Sequence, residues 1–134
     1  MENLMNIRWW SACIGVLVGE FLGSFDHLLY ALVVFVAVDY ITGVFCAILD
    51  RNLSSEIGFR GIARKVCIFL LVGVANVLDV HIIGSGCVLR SAVIFFYMSN
   101  EGISILEHVA RMGLPVPKKM QDAMKEIREK QMLG

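Results

Sequence analysis

The chain has 134 residues, 57% of them hydrophobic, and a mean hydropathy of +0.72, which leaves room for one domain and excludes water as its main solvent. Its 12 basic and 12 acidic residues cancel, so no global field recruits nucleic acid or an acidic substrate. Cys13, Cys46, Cys67 and Cys87 stand singly in apolar runs, without C-x-x-C pairs or histidines at ligand spacing, and read as small apolar side chains rather than as disulfides or a zinc site.

The first element, residues 7–25, is a weak transmembrane candidate that opens on Arg8, Trp9 and Trp10, indoles favouring the headgroup level. Glu20 interrupts it, which argues against a cleaved signal and for a retained N-terminus. Ser11, Gly15, Gly19 and Gly23 recur every four residues and form a smooth strip for helix packing, either between subunits or within one.

Residues 28–49 form the clearest span. Twenty-two helical residues at about 1.5 Å each cover the roughly 30 Å of bilayer hydrocarbon. Asp39 near the midpoint costs about 2.5 to 3.5 kcal/mol, and the Leu, Ile, Val and Phe residues return about 4 to 8 on the same scale. No basic residue is expected at its depth. It reads as a neutral, hydrogen-bonded carboxyl or as a trigger sensitive to protons or potential.

The third run, 64–80, is short, with Arg64 and Lys65 expected to snorkel at one end and Asp79 at the other. Asn76 and Asp79 share a face and are expected to offer Asp39 its partners. The fourth, 86–106, carries Arg90, Asn100 and Glu101 and is close to break-even for insertion. Along it Arg90, Tyr97, Glu101, Ser104 and His108 are spaced 7, 4, 3 and 4 apart and share one face. Such a stripe must face protein or water, with Glu20 and Asp79 the expected partners of Arg90. It reads as an ion pair fixing register, or as the future lining of a hole.

Charge placement tests the count of crossings. Arg8 precedes the first span, Arg51, Arg60, Arg64 and Lys65 lie between the second and third, and Arg111, Lys118, Lys119, Lys125, Arg128 and Lys130 follow the fourth. Enrichment of cytoplasmic loops in basic residues then places both termini in the cytoplasm, with four crossings. After Gly113 the LPVP elbow stops the helix, and from Lys118 to Leu133 the residues Met120, Met124 and Ile127 give a narrow amphipathic stripe. That tail helix is expected to rest on the membrane surface or on the loop between spans two and three, or to self-associate as a coiled coil. The fold expected is therefore all-α: a transmembrane helical domain over 1–112 with spans of about 7–25, 28–49, 64–80 and 86–106, followed by a cytoplasmic elbow and tail over 113–134.

No nucleophile stands beside a base, no glycine loop cradles phosphate, and no two histidines share a helix face, so an enzyme is not expected and no cofactor or metal is implied. His27 and His81 are isolated.

Three local patterns resemble the phage-lysis and toxin-secretion holins of Gram-positive bacteria and their phages: DYITG at Asp39–Gly43, SSEIGFRGIARK at Ser54–Lys65, and NEGISILEHVARMGLPVPKKM at Asn100–Met120. The last is the most specific, and together they cover roughly residues 30–127. The resemblance implies a protein that accumulates harmlessly in the host cytoplasmic membrane, homo-oligomerises, and opens lesions that release an endolysin or a large toxin without necessarily touching that cargo. It carries no catalytic set. The motif residues come over only as determinants of folding and assembly, with Glu20, Asp39, Asn76, Asp79, Arg90, Tyr97, Asn100, Glu101 and Ser104 as candidate intramembrane polar or pore-lining residues. The competing readings are a small transporter or channel subunit, and a membrane anchor whose tail recruits a soluble partner.

Overall fold

The computed structural model describes residues 1–84 and 86–133, which are helical apart from short connections. Helix α1 spans Glu2–Leu22, α2 His27–Leu49, α3 Ser55–Val77 running on into a π-helical segment Leu78–Ile83, α4 Val88–Arg111 and α5 Lys118–Leu133. Two helical stretches, His27–Leu49 and Ser55–Ile83, are long and apolar enough to cross a membrane.

Each boundary has a local cause. Gly23 closes α1 in the left-handed region, at φ 87°, and the next amide, of Ser24, returns to Gly19 O at 2.9 Å. Asp26 caps α2, its carboxylate accepting from Leu29 N at 2.9 Å. Ser54 caps α3 through Ile57 N at 3.2 Å, which starts this helix at Ser55, well before the apolar run at 64–80 that marks it in the sequence. Lys65 consequently stands one-third of the way along a 29-residue helical stretch, instead of at its end. The π turn brings Asp79 under the first turn of α4, where its two carboxylate oxygens accept from Leu89 N (3.1 Å) and Arg90 N (2.7 Å).

The most extensive packing joins α2 and α4. They run parallel, since Arg90 meets Asp26 at their N-terminal ends and His108 meets Thr42 towards their C-terminal ends. Leu29, Leu32, Val36, Ile68, Val72, Ile94 and Met98 form the buried core, with Leu22 at its edge. Helix α1 packs chiefly on α3, where Phe21 lies against Gly73 so closely that a β-carbon there would strike the ring. The remainder of α1, including Trp9, Trp10, Ile14 and Leu17, is exposed.

The tail helix departs from its sequence-based placement. Neither free on a surface nor set on the α2–α3 loop, α5 folds back along α4: Met124 Sδ fills the space beside Gly102, and Ile127 joins the core. Eight charged residues between Lys118 and Lys130 come with it. In hydrocarbon each Lys, Arg or Asp at mid-depth costs about 2.5 to 3.5 kcal/mol, so α5 is not a lipid-facing helix.

Candidate functional site: a charged network inside the bundle

At the centre of the bundle Lys65 Nζ sits between two carboxylates, 2.6 Å from Asp39 Oδ2 and 2.7 Å from Glu101 Oε2. Three helices are thereby joined through one ammonium group. Its three donors suit this task, and the charge-assisted bonds are short because little water competes for them. Asp39 and Glu101 are buried and Lys65 nearly so. Asp39 Oδ1 lies 3.4 Å from His108 Nδ1, and the same ring nitrogen is 2.9 Å from Thr42 Oγ1. The Thr42 hydroxyl also reaches Val38 O at 2.9 Å, and Cys46 Sγ donates to His108 O at 3.4 Å.

Asp39 is therefore not the solitary charge that the span boundaries suggest. The error lies in the assumed start of α3: with the helix beginning at Ser55, Lys65 reaches the depth of Asp39 rather than snorkelling at an end. Asn76 and Asp79 do not serve Asp39 either. The Asn76 amide donates to Phe21 O (3.1 Å) and Glu20 O (3.3 Å), fastening the end of α1 to α3. Asp79 is spent on the start of α4.

A second knot closes the other end. Arg90 is 3% exposed, its Nε donating to Leu22 O at 2.6 Å, Nη2 to Ser24 O at 3.1 Å and Nη1 to Asp26 Oδ2 at 2.9 Å. The expected partners were Glu20 and Asp79; Asp26 pairs with the guanidinium, and Asp79 receives the Arg90 backbone N–H. Glu20 is exposed and offers just its carbonyl. The guanidinium holds the Asp26 carboxyl below the usual carboxylate range, against a smaller opposing effect of burial. A signal for Asp26 was present in the sequence, since an aspartate directly before an apolar run marks a helix cap.

Between α2, α3 and α4 lies a cavity of about 770 Å³, lined by Tyr40, Arg64, Tyr97, Asn100, Ser104 and the central network. Of the α4 stripe, Tyr97, Glu101, Ser104 and His108 line this space and Arg90 is buried in the knot at the other end of the bundle, so the stripe faces the bundle interior. Asn100 is exposed on the flank. The α1 strip goes two ways: Gly15 and Gly19 have open space around them, whereas Gly23 lies against Asn76 and Arg90. Ser11 bonds only its own helix, to Arg8 O.

The comparisons with known proteins agree on one family. The model of the bacteriophage holin family matches residues 16–129. An uncharacterized protein of Clostridium perfringens is 39% identical over 131 residues, covering 97% of this chain and 99% of its own length. An uncharacterized Listeria monocytogenes protein is 44% identical over 108 residues, 81% of this chain and 76% of its own. A protein of Bacillus phage phi105 described as a probable holin is 39% identical over 90 residues, 67% of this chain and 66% of its own. No solved structure matches.

Proposed function

Since the chain belongs to the bacteriophage holin family, we propose that it homo-oligomerises in the bacterial cytoplasmic membrane and forms lesions that let an endolysin, or a large toxin, leave the cell. The observation that carries this reading is the inward-turned network. Lys65, Asp39, Glu101 and Arg90 are paired inside one subunit, on helices that include a marginally apolar α4, so a harmless state is stable alone and holds polar faces in reserve. On assembly Tyr97, Asn100, Glu101 and Ser104 turn towards water and line the opening.

The topology we assign has four crossings with both termini cytoplasmic, following the distribution of basic residues along the chain. Bilayer and self are the partners, and cargo passes without a dedicated contact. The test is induction of the gene in a bacterium, with and without a cytosolic endolysin lacking an export signal. Abrupt depolarisation, with lysis only when the endolysin is present, is expected. Steady growth at intact potential, with confirmed membrane expression, would sink the reading.

The cavity favours one second reading, a channel or transporter subunit with a permanent pathway. That protein would conduct selectively and leave growing cells unharmed.

A further inference from the structure

On α4 the residues Phe95, Ser99, Gly102 and Leu106 are spaced 4, 3 and 4 apart and share one face, the face on which Met124 of α5 sits at Gly102. Its centre is small. The Ser99 hydroxyl there is 2% exposed and has no hydrogen-bond partner, which is costly for a buried group. Helices α2 and α3, the two stretches able to cross a membrane, also pack on α4, and Phe35 of α2 reaches the rim of this face beside Gly102. If those two cross, α4 packed on them shares their depth, and so does α5. With eight charged residues, α5 cannot stay there facing lipid. Docking of α5 and exposure of α4 to a bilayer therefore exclude each other.

We infer that α5 is a releasable cover, and that the Ser99/Gly102 face of α4 beneath it is the surface on which a second copy of this chain seats its own α4. Small residues let two backbones approach closely, and a serine from each copy gives the orphan hydroxyl a partner. The occupant is a second copy rather than lipid, because acyl chains leave the Ser99 hydroxyl unsatisfied. Phe95 and Leu106 flank the contact with apolar bulk. This rests on the holin reading above and adds to it the surface and the act that uncovers it.

The test uses the full chain in bacterial membranes and bismaleimide cross-linking of a S99C variant, with the parent chain as the blank for its native cysteines. The S99C dimer is expected to rise several-fold when cells depolarise. Adding Met124→Lys, which drives α5 off the apolar face, is expected to raise the dimer before depolarisation and advance its onset, whereas Met124→Leu keeps the parental pattern. Depolarisation without any S99C dimer above the blank overturns the inference and leaves the holin reading intact, as does a dimer yield indifferent to Met124→Lys at equal membrane level. A parent chain that never depolarises cells overturns the holin reading, and this inference with it.

Discussion

Lys65 Nζ and Asp39 Oδ2 stand 2.6 Å apart, pinning the third helix to the second at the heart of the bundle. Both side chains are largely buried, so each depends on the other for its charge to be tolerated.

Replacing Lys65 with Met is expected to leave Asp39 and Glu101 facing each other without a counter-ion. Removing one partner of a buried pair costs about 3 to 5 kcal/mol, whereas an apolar replacement of all members is often neutral. The single variant should therefore unfold at markedly lower temperature in detergent, followed by circular dichroism, and the triple variant with Asp39→Leu and Glu101→Met should recover most of the loss. A single variant as stable as the parent would show that the network is dispensable.

Arg90→Leu removes the donors that hold Leu22 O, Ser24 O and Asp26 together. Earlier depolarisation at equal protein level is expected. Arg90→Lys should fall between, since an ammonium cannot reproduce the planar fork. Unaltered timing in Arg90→Leu would remove this residue from the mechanism.

The same knot sets an acid dependence. Asp26 has its carboxyl lowered in the folded protein, so its ionised form adds stability above the ordinary carboxylate value of about 3.9, and that contribution fades as pH falls through the lower folded value. Thermal stability of the parent should decline below about pH 4 more steeply than that of Asp26→Asn, which has lost the titrating group. Parallel slopes would contradict the assignment.

Gly73→Ala is expected to push the Phe21 ring aside and loosen the end of α1 on α3, because the new methyl meets that ring. Phe21→Ala in the same chain should relieve the clash. The readout is protease cleavage after Gly23 in purified protein, faster in the single variant and partly restored in the double.

Gly19→Leu should leave the subunit fold untouched, since nothing lies within 4 Å of the added β-carbon. If the open strip on α1 also joins subunits, cross-linking through Cys13 will fall while thermal stability holds. Unchanged cross-linking would assign the strip to lipid.

The apolar runs and the LPVP elbow after Gly113 made the helices readable, whereas the Asp26 and Ser54 caps and the left-handed stop at Gly23, equally local, went unread and left the start of α3 misplaced. The inward direction of the α4 stripe was also legible, because a polar face across an apolar helix has few places to go. What stayed hidden was pairing. The stretch from Ser55 to Ala63 is too polar to register as part of a span, so Lys65 looked terminal and Asp39 looked alone. Likewise, no periodicity announces a π turn, and Asp79 is brought to the start of α4 by one. The docking of α5 depends on a cavity at Gly102, which no helical-wheel pattern of either helix reveals.

The two knots and the cavity together make a lever of α3. Helices α2 and α4 are fastened to each other at both ends, by Arg90 with Asp26 at one and by Arg111 with Asp50 at the other, and so act as a stator. Helix α3 is fixed at its far end by Asn76 and at its middle by the single ammonium of Lys65, while its first turns border the cavity and meet α2 through the Tyr40 ring beside Gly58 and Gly61. Measured from a pivot at Val77, Lys65 lies roughly 18 Å and Ser55 roughly 33 Å along the arm. Each ångström yielded at that catch becomes nearly two at Ser55 when the arm moves rigidly, so losing both Lys65 bonds is expected to be felt most where Gly58 and Gly61 rest on the Tyr40 ring.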